Sequence, residues 1–525
     1  MFFVLYAAFL VYMLKKFRYQ IHMLQLNSYR NERYFKWLTQ KRSHMFSLLS
    51  LIPLLAYLDF FVMETKSFSS LALGEDIGGI SFVALGAILY LVLFIFSPKT
   101  QMKKPLVYTP RVRRLIAALA VVMAVIGALL WFVPLSYTLA ILVIVDLLHF
   151  LLVLLANTIN IPIENSVNRY YYNDAKRILA SMPNLTVIGV TGSYGKTSTK
   201  YILQKLLSAK YNVLMTPESY NTPMGVIRTV RTYLNATHEI FIVEMGAKNP
   251  GDIKEICDLV NPDYGIISSI GPQHLETFKT MDAICRTKFE LAQAAKKKVF
   301  LNINNEYIAR EAGKHSHISY AIGEAADFTA SNICVGPTGS DFVVTRKDGQ
   351  SQKFHTKMLG DINVLNICGA IAAANTLGVE MADLAPAVRL LEAAPHRLQL
   401  IDGAKYTIID DAFNSNPQGS SAALEVLKSF SAQRILVTPG MVELGEKQYD
   451  LNFELGRHAA GCCDFIVLVG PEQTAPIADG LKKEGYLAEK LYVAQNLQDA
   501  LAKVNEIAQS GAVVLLENDL PDNFL

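Results

Sequence analysis

The sequence predicts an α-helical transmembrane domain followed by two α/β domains, and three observations lead there. Hydrophobic residues make up 51% of the 525 residues and charged residues only 18%. With a positive mean hydropathy, that is too apolar for an ordinary soluble enzyme, and the apolar runs gather in the first third. From Leu185 onward short β-branched runs alternate with amphipathic helical windows, the pattern of a mostly parallel sheet. After residue 396 the alternation restarts, so a second, Rossmann-like sheet is expected. A chain of this length has room for roughly three cores. They are expected as a transmembrane domain over 1–155, an interfacial connector over 156–184, a central domain over 185–395 and a C-terminal domain over 396–525.

Apolar runs at 1–14, 45–63, 77–97, 115–133 and 135–155 predict about five spans, since a spanning helix needs ~20 apolar residues. The first run is short, but its charges (Lys15, Lys16, Arg18) follow it instead of preceding it as in a signal peptide. Cytoplasmic loops are enriched in Lys and Arg. Residues 15–44 carry Lys15, Lys16, Arg18, Arg30, Arg33, Lys36, Lys41 and Arg42, and residues 98–114 carry Lys99, Lys103, Lys104, Arg111, Arg113 and Arg114. Between them, residues 64–76 hold Glu64, Glu75 and Asp76 against Lys66. One assignment satisfies all three loops: a multi-pass protein of the cell membrane, in contact with membrane lipid, with residue 156 onward in the cytoplasm. Asp146 and His149, one turn apart in the last run, are ionisable groups at membrane depth, where a functional role competes with capping or snorkelling.

The net charge of +3, without a basic stripe interleaved with aromatics in the last two thirds, argues against a nucleic-acid partner. The cysteines (Cys257, Cys285, Cys334, Cys368, Cys462, Cys463) form no CxxC pair and are expected as small core residues in a reducing compartment.

Residues 156–184 include the polar aromatic stretch Asn168, Arg169, Tyr170, Tyr171 and Tyr172 before a helix-like Asp174–Ser181. Strands are then expected over 185–190, 240–244, 264–270 and 298–302, with hairpins inside 327–357. In the second half they are expected near 405–410, 434–438, 464–469, 490–494 and 512–517, separated by helical windows such as 420–430 and 497–509.

Residues 185–200 read LTVIGVTGSYGKTSTK: an apolar strand, a glycine-rich turn, a lysine with hydroxyls, then a helix to about Ala209. Such a turn cradles phosphate, because glycines let backbone N–H groups face the anion and the helix N-terminus adds partial positive charge. Thr191, Gly192, Ser193, Gly195, Lys196, Thr197 and Ser198 are the candidate ATP-binding residues, with Lys196 on the β- and γ-phosphates and the Thr197 hydroxyl on Mg²⁺. Val190 stands where the general G-x-x-x-x-G-K pattern has its first glycine. Ligands gather at the carboxyl ends of strands in open α/β sheets, and there Glu244, His274 and Asn302 follow the strands of IFIVEMGA, SSIGPQHLETF and VFLNINNE.

The blocks SYNTPMGV (219–226), EMGA (244–247), IGPQHLETF (270–278), RTKFEL (286–291), LNINNE (301–306), PHRLQ (395–399), DDAFNSNP (410–417) and PGMVELGE (439–446) resemble successive motifs of the Mur ligase family, the last two in their MurF form. The resemblance covers about 185–515. It implies a central ATPase domain, a Rossmann-like C-terminal domain, and amide-bond formation through an acyl phosphate. Carried over by position, Lys196, Glu244, His274 and Lys288 are the catalytic set, and Thr197, Glu244, His274 and a carbamylated Lys288 the metal ligands. The resemblance also implies Asn221 near the phosphates or metal, Asn302 near the adenine, and Arg397 and Asp411 brought to the nucleotide by the C-terminal domain. The partners implied are a cell-wall peptide precursor, lipid- or UDP-linked, and an amino acid or dipeptide.

Three departures stand out. Membrane runs occupy the place where a MurF enzyme has its UDP-sugar domain, and VLLENDLPDNFL replaces a Lys-Gly-Ser-Arg-like stretch, while GDIN (360–363) replaces GRHN. A polyglutamate-type synthetase adding single amino acids is the nearest enzymatic alternative. A membrane transporter or scaffold with a nucleotide-binding domain is the alternative of another class; the transporter would spread polar residues through several spans.

Overall fold

The computed structural model describes residues 1–40, 45, 47–57, 74–97, 105–336, 339–413, 415–442 and 444–519. The described residues divide into two compact units, one within 1–169 and one within 170–519.

The first unit is helical, with helices Phe2–Leu26, Asn31–Gln40, Gly74–Phe96, Pro110–Leu130, Leu135–Leu147 and the first part of His149–Ala180. Among the described residues, Pro110–Leu130 and His149–Ala180 are long and apolar enough to cross a membrane, and Ile80–Phe96 and Tyr137–Leu147 are shorter apolar helices. Several expectations are corrected. The run 45–63 forms a 3-10 helix, Leu48–Leu55, with Pro53 inside it; proline lacks the N–H that a continuing helix needs, and 58–63 lie outside the described residues. The run 135–155 is two helices that meet at Leu148. Lys15, Lys16 and Arg18 lie inside the first helix and not in a loop. The connector is not a separate element, because one helix runs from His149 to Ala180. Lys41, Arg42, Glu64, Lys66, Lys99, Lys103 and Lys104 lie outside the described residues.

Asp146 forms a buried ion pair, and His149 caps the end of the helix Leu135–Leu147 through the Asp146 carbonyl. Asp146 is fully buried and paired with Lys16 of the first helix, whose Nζ also donates to Ser50 Oγ at 2.8 Å. His149 bonds through Nδ1 to the Asp146 carbonyl at 2.7 Å and through Nε2 to Gln20 at 3.0 Å, and Tyr34 donates to Gln20 at 2.5 Å. Arg114 grips Glu164 with two bonds of 2.6 and 2.9 Å. Asn157 and Asn160 are buried as well, so polar residues are more widely spread here than the apolar runs suggested.

The second unit carries two sheets. The first has strands β1 (Thr186–Thr191), β2 (Val213–Met215), β3 (Ile240–Glu244), β4 (Tyr264–Ile267), β5 (Lys298–Asn302), β6 (His317–Ile322), β7 (Phe328–Gly336), β8 (Gly339–Arg346) and β9 (Ser351–Thr356), in the order β2-β3-β1-β4-β5-β6-β7-β8-β9. Pairing is parallel from β2 to β7 and antiparallel through β7-β8-β9, so the expected hairpins extend the parallel sheet. β1 is buried on both faces, as its near-continuous apolar run requires of a central parallel strand. The second sheet has β10 (Gln399–Ile401), β11 (Tyr406–Asp411), β12 (Arg434–Thr438), β13 (Phe465–Val469), β14 (Leu491–Ala494) and β15 (Ala512–Glu517), in the order β10-β11-β15-β12-β13-β14. The expected strands fall within a few residues of those found; β2, β6 and β10 were not anticipated, the first and last because three residues are too few to show a period. Five cysteines are buried as expected, but Cys334 is exposed on β7.

Candidate active site

The strand-turn-helix at 186–207 builds the phosphate loop. Gly195, at φ +77°, precedes the helix Lys196–Leu207, and a Cβ there would come within 2.9 Å of Asn366 Oδ1. At Gly192 a Cβ would lie 2.2 Å from Ser268 Oγ. The loop is tied down from both sides. Ser193 N donates to Ser269 O at 2.6 Å, Ser193 Oγ to Gly271 O at 3.0 Å, Thr191 Oγ1 to Met245 O at 2.8 Å, and Tyr194 OH to Pro272 O at 2.8 Å. Lys196 Nζ donates to the carbonyls of Gly192 and Ser193 at 2.8 and 3.0 Å. Burial pushes its ammonium down to about 8 against the pull of Glu244, with Arg397 adding to the drop. Ser198 follows, half-buried, in the first turn of the helix.

Beside the loop, β1 and β3 run parallel with Val190 opposite Glu244. That register puts the Glu244 carboxylate next to the first turn of the phosphate-loop helix. Thr197 Oγ1 donates to its two oxygens at 3.2 and 3.1 Å, and Asn221 Nδ2 donates to Oε1 at 3.0 Å. Glu244 is only 1% exposed. Its countercharge is Lys200, fully buried, with Nζ 3.1 Å from Oε2 and a further bond to the Glu218 carbonyl. Lys200 went unnoticed in the sequence although the signal was there: it lies four residues after Lys196, on the same helix face.

Lys288, on the helix Met281–Ala294, is 2% exposed. Burial first, and the nearby Lys196 charge second, hold its ammonium well below the ordinary lysine value, opposed by Asp252 and Glu290. His274 sits at φ +52°, where its carbonyl receives Thr277 N and Phe278 N at 3.0 and 3.1 Å. Asn302 is buried at the end of β5, and both ends of its amide are engaged: Nδ2 donates to Ser268 O at 2.8 Å, and Oδ1 accepts from Asn304 N at 3.1 Å.

The C-terminal sheet contributes a second polar group. Arg397 lies 4.3 Å from the Phe413 ring centroid, and burial lowers its guanidinium against the charges of Asp411, Glu244 and Glu517. Arg397 therefore lies within electrostatic reach of Lys196 and Glu244. Asp411 accepts from Leu398 N at 3.1 Å. In the β11–β15 register it lies opposite Glu517, which is 1% exposed and accepts from Ser415 Oγ at 2.6 Å. Ser415 N in turn donates to Asn518 Oδ1 at 3.1 Å. Residues 414 and 443, inside the DDAFNSNP and PGMVELGE blocks, lie outside the described residues.

Two carboxyls side by side without water resist ionising together. Burial pushes Asp411 up to about 6, opposed by Arg397, and burial with the neighbouring Asp411 pushes Glu517 well above its ordinary 4.5. The folded protein thus binds more protons than the unfolded chain over this window, so the pair costs stability as pH rises from ~4.5 through 6 and beyond. Glu517→Gln should raise Tm at pH 8, by roughly 2–4 °C per kcal/mol gained, and the gain should shrink toward pH 5. Thermal melts of both proteins across pH 5–8 check this; a gain independent of pH would mean that the carboxyl pair does not share a proton.

The family described as "Mur ligase middle domain" matches residues 190–374, and that described as "Mur ligase, glutamate ligase domain" matches 396–517. The UDP-N-acetylmuramoyl-tripeptide–D-alanyl-D-alanine ligase of Bacillus subtilis (strain 168) is 29% identical over 335 residues, covering 63% of this chain and 72% of that one. The ligase of the same name from Mycobacterium bovis is 31% identical over 355 residues, covering 64% and 68%. The crystal structure of MurF ligase from Thermotoga maritima in complex with ADP superposes with a TM-score of 0.60 at 25% identity, covering 67% of this chain and 80% of that one. The chain belongs to the Mur ligase family, and its two α/β domains are those of a MurF-like, ATP-dependent amide-bond ligase.

Proposed function

We propose that this ligase is anchored in the cell membrane with its catalytic domains in the cytoplasm. There it joins the carboxyl group of a cell-wall peptide precursor, carried on UDP or on a membrane lipid, to the amine of an amino acid or dipeptide. The observation that carries the reaction is the cluster of Lys196, Thr197, Asn221 and Glu244 at the adjoining ends of β1 and β3. The membrane reading is supported by the helix Pro110–Leu130, whose side chains Val121, Val125 and Leu129 are 63, 53 and 65% exposed. Apolar groups turned outward along a helix of spanning length suit lipid and not water.

The residues present fit ATP and Mg²⁺. Gly192 and Gly195 leave room that a Cβ would fill, and a buried carboxylate beside a hydroxyl is the all-oxygen donor set a hard divalent cation takes. Thr197 and Glu244 would hold the metal, with His274 and a carbamylated Lys288 as further proposed ligands. A bound Mg²⁺ would offset the negative charge that develops as the γ-phosphoryl moves.

The chain's own contribution is positioning and charge. A carboxylate is a poor electrophile, so the first step moves the γ-phosphoryl onto the donor carboxylate, giving an acyl phosphate and ADP. The amine then attacks the acyl carbon, and phosphate leaves. Lys196, held over the loop carbonyls of Gly192 and Ser193, turns its charge to the phosphates. Asn221 keeps the Glu244 carboxylate oriented. Arg397 brings a second positive charge from the C-terminal domain, and closure there excludes water that would hydrolyse the acyl phosphate.

The test is phosphate release by the full-length protein in lipid, with muramoyl-peptide precursors offered in UDP-linked and lipid-linked form together with D-Ala-D-Ala or single amino acids. Release is expected to require both a donor and an amine. ATP hydrolysis indifferent to either would overturn the ligase reading.

A further inference from the structure

Outside the reaction centre the molecule has a cavity of about 500 Å³ whose lining includes Tyr171, Ser219, Tyr220, Thr222, Arg228 and Arg231. We propose that this pocket holds the diphosphate-bearing sugar of the carboxylate donor, an inference that rests on the ligase reading above. Its chemistry is that of an anion site with a hydroxyl-rich wall. Both guanidiniums lie against rings, Arg228 at 5.4 Å from the Tyr220 centroid and Arg231 at 4.4 Å from that of Tyr171. The attraction of a cation to a ring face favours this placement, and a guanidinium fork matches phosphate oxygens two at a time. Arg231 is already answered by Asp174, with Nε 2.7 Å from Oδ2. Arg228 is exposed, and among the described residues no carboxylate pairs with it. The pocket therefore keeps a net positive charge. The helix Pro223–Tyr233, capped by Thr222, adds the positive end of its dipole. Ser219, Thr222 and the tyrosines supply hydroxyls suited to a sugar.

Position argues for the donor and against an unrelated anion. Tyr220 and Thr222 flank Asn221, which donates to Glu244 at 3.0 Å, and consecutive Cα atoms are only ~3.8 Å apart. The segment between pocket and centre is firm: Asn221 N donates to Ser219 O at 2.8 Å, and Gly246 N to Asn221 O at 2.7 Å. A sugar diphosphate seated here leaves its peptide arm free to reach the phosphate loop. The volume lies within the ~300–1,000 Å³ of small-molecule sites. Tyr171 comes from the aromatic end of the helix that begins at His149, so the polar aromatic stretch noticed in the sequence acquires a use: it closes one side of this pocket.

The test measures binding of UDP-linked and polyprenyl-diphosphate-linked muramoyl peptide to the full-length protein in nanodiscs without ATP, alongside KM and kcat. Arg228→Glu should weaken the bound donor at least tenfold and raise its KM, with the KM for ATP unchanged and Arg228→Lys in between. Loss confined to one arm names the carrier. Equal donor affinity in Arg228→Glu and the unaltered protein, or no binding of either donor to the unaltered protein, would overturn the proposal. Binding that follows this mutational pattern without any turnover would sink the ligase reading and leave the pocket assignment standing.

Discussion

Lys196→Ala should lower donor- and amine-dependent phosphate release by about 10³-fold, the upper range for removing one preorganised charge donor from a transition state, while the protein still folds. The geometry separates the two effects. Lys196 donates hydrogen bonds to the carbonyls of Gly192 and Ser193, both in its own turn. Each is worth about 1 kcal/mol net, and the loop keeps its other ties through Ser193, Thr191 and Tyr194. In the reaction the same ammonium faces the phosphoryl charge with less water to screen it, which is where a charge counts for most. Circular dichroism melts should therefore shift by only a few degrees, while single-turnover rates collapse. Lys196→Arg should not rescue, because a planar guanidinium cannot occupy the place of a compact ammonium between the Gly192 and Ser193 carbonyls. A variant retaining activity within tenfold would remove Lys196 from the chemistry.

Much of the site was legible in the sequence because it lies where topology forces function. The phosphate loop joins an apolar strand to a helix, and Glu244 closes a strand adjacent to it, so the order of residues already implied their meeting. What stayed hidden depends on side chains meeting across elements. Lys200 reads as one more lysine on a helix; only the fold shows it sealed against Glu244. Glu517 reads as an acidic strand end, and its opposition to Asp411 appears only once β11 and β15 pair. The pocket at Arg228 needs a loop, a helix and the end of a second helix far away in sequence. In the first unit, hydropathy located the apolar segments but not their breaks. Pro53 and Leu148 interrupt runs that composition alone renders continuous, and Lys16 reads as a loop charge until Asp146 is placed beside it.

Lys200→Met should cost about 3–5 kcal/mol of stability, the range for breaking a buried ion pair by removing one partner. Lys200 is fully buried and Glu244 only 1% exposed, so the carboxylate left behind has the hydroxyl of Thr197 and the amide of Asn221 in contact, but only the more distant charges of Lys196 and Arg397 in place of the paired ammonium. Those neutral donors only partly replace the charge–charge attraction, and ionised Glu244 would then be held in a site with little solvent to stabilise it. A cation supplied from outside would restore the balance. If Glu244 is a metal ligand, as proposed, Mg²⁺ with ATP should raise the Tm of Lys200→Met by more than it raises that of the unaltered protein, because in the variant the metal also cancels an uncompensated charge. The comparison is a set of four melts, each protein in EDTA and in Mg²⁺ with ATP. Equal shifts in both proteins would mean that the metal does not reach Glu244, and would confine Lys200 and Glu244 to a structural pair under the phosphate loop.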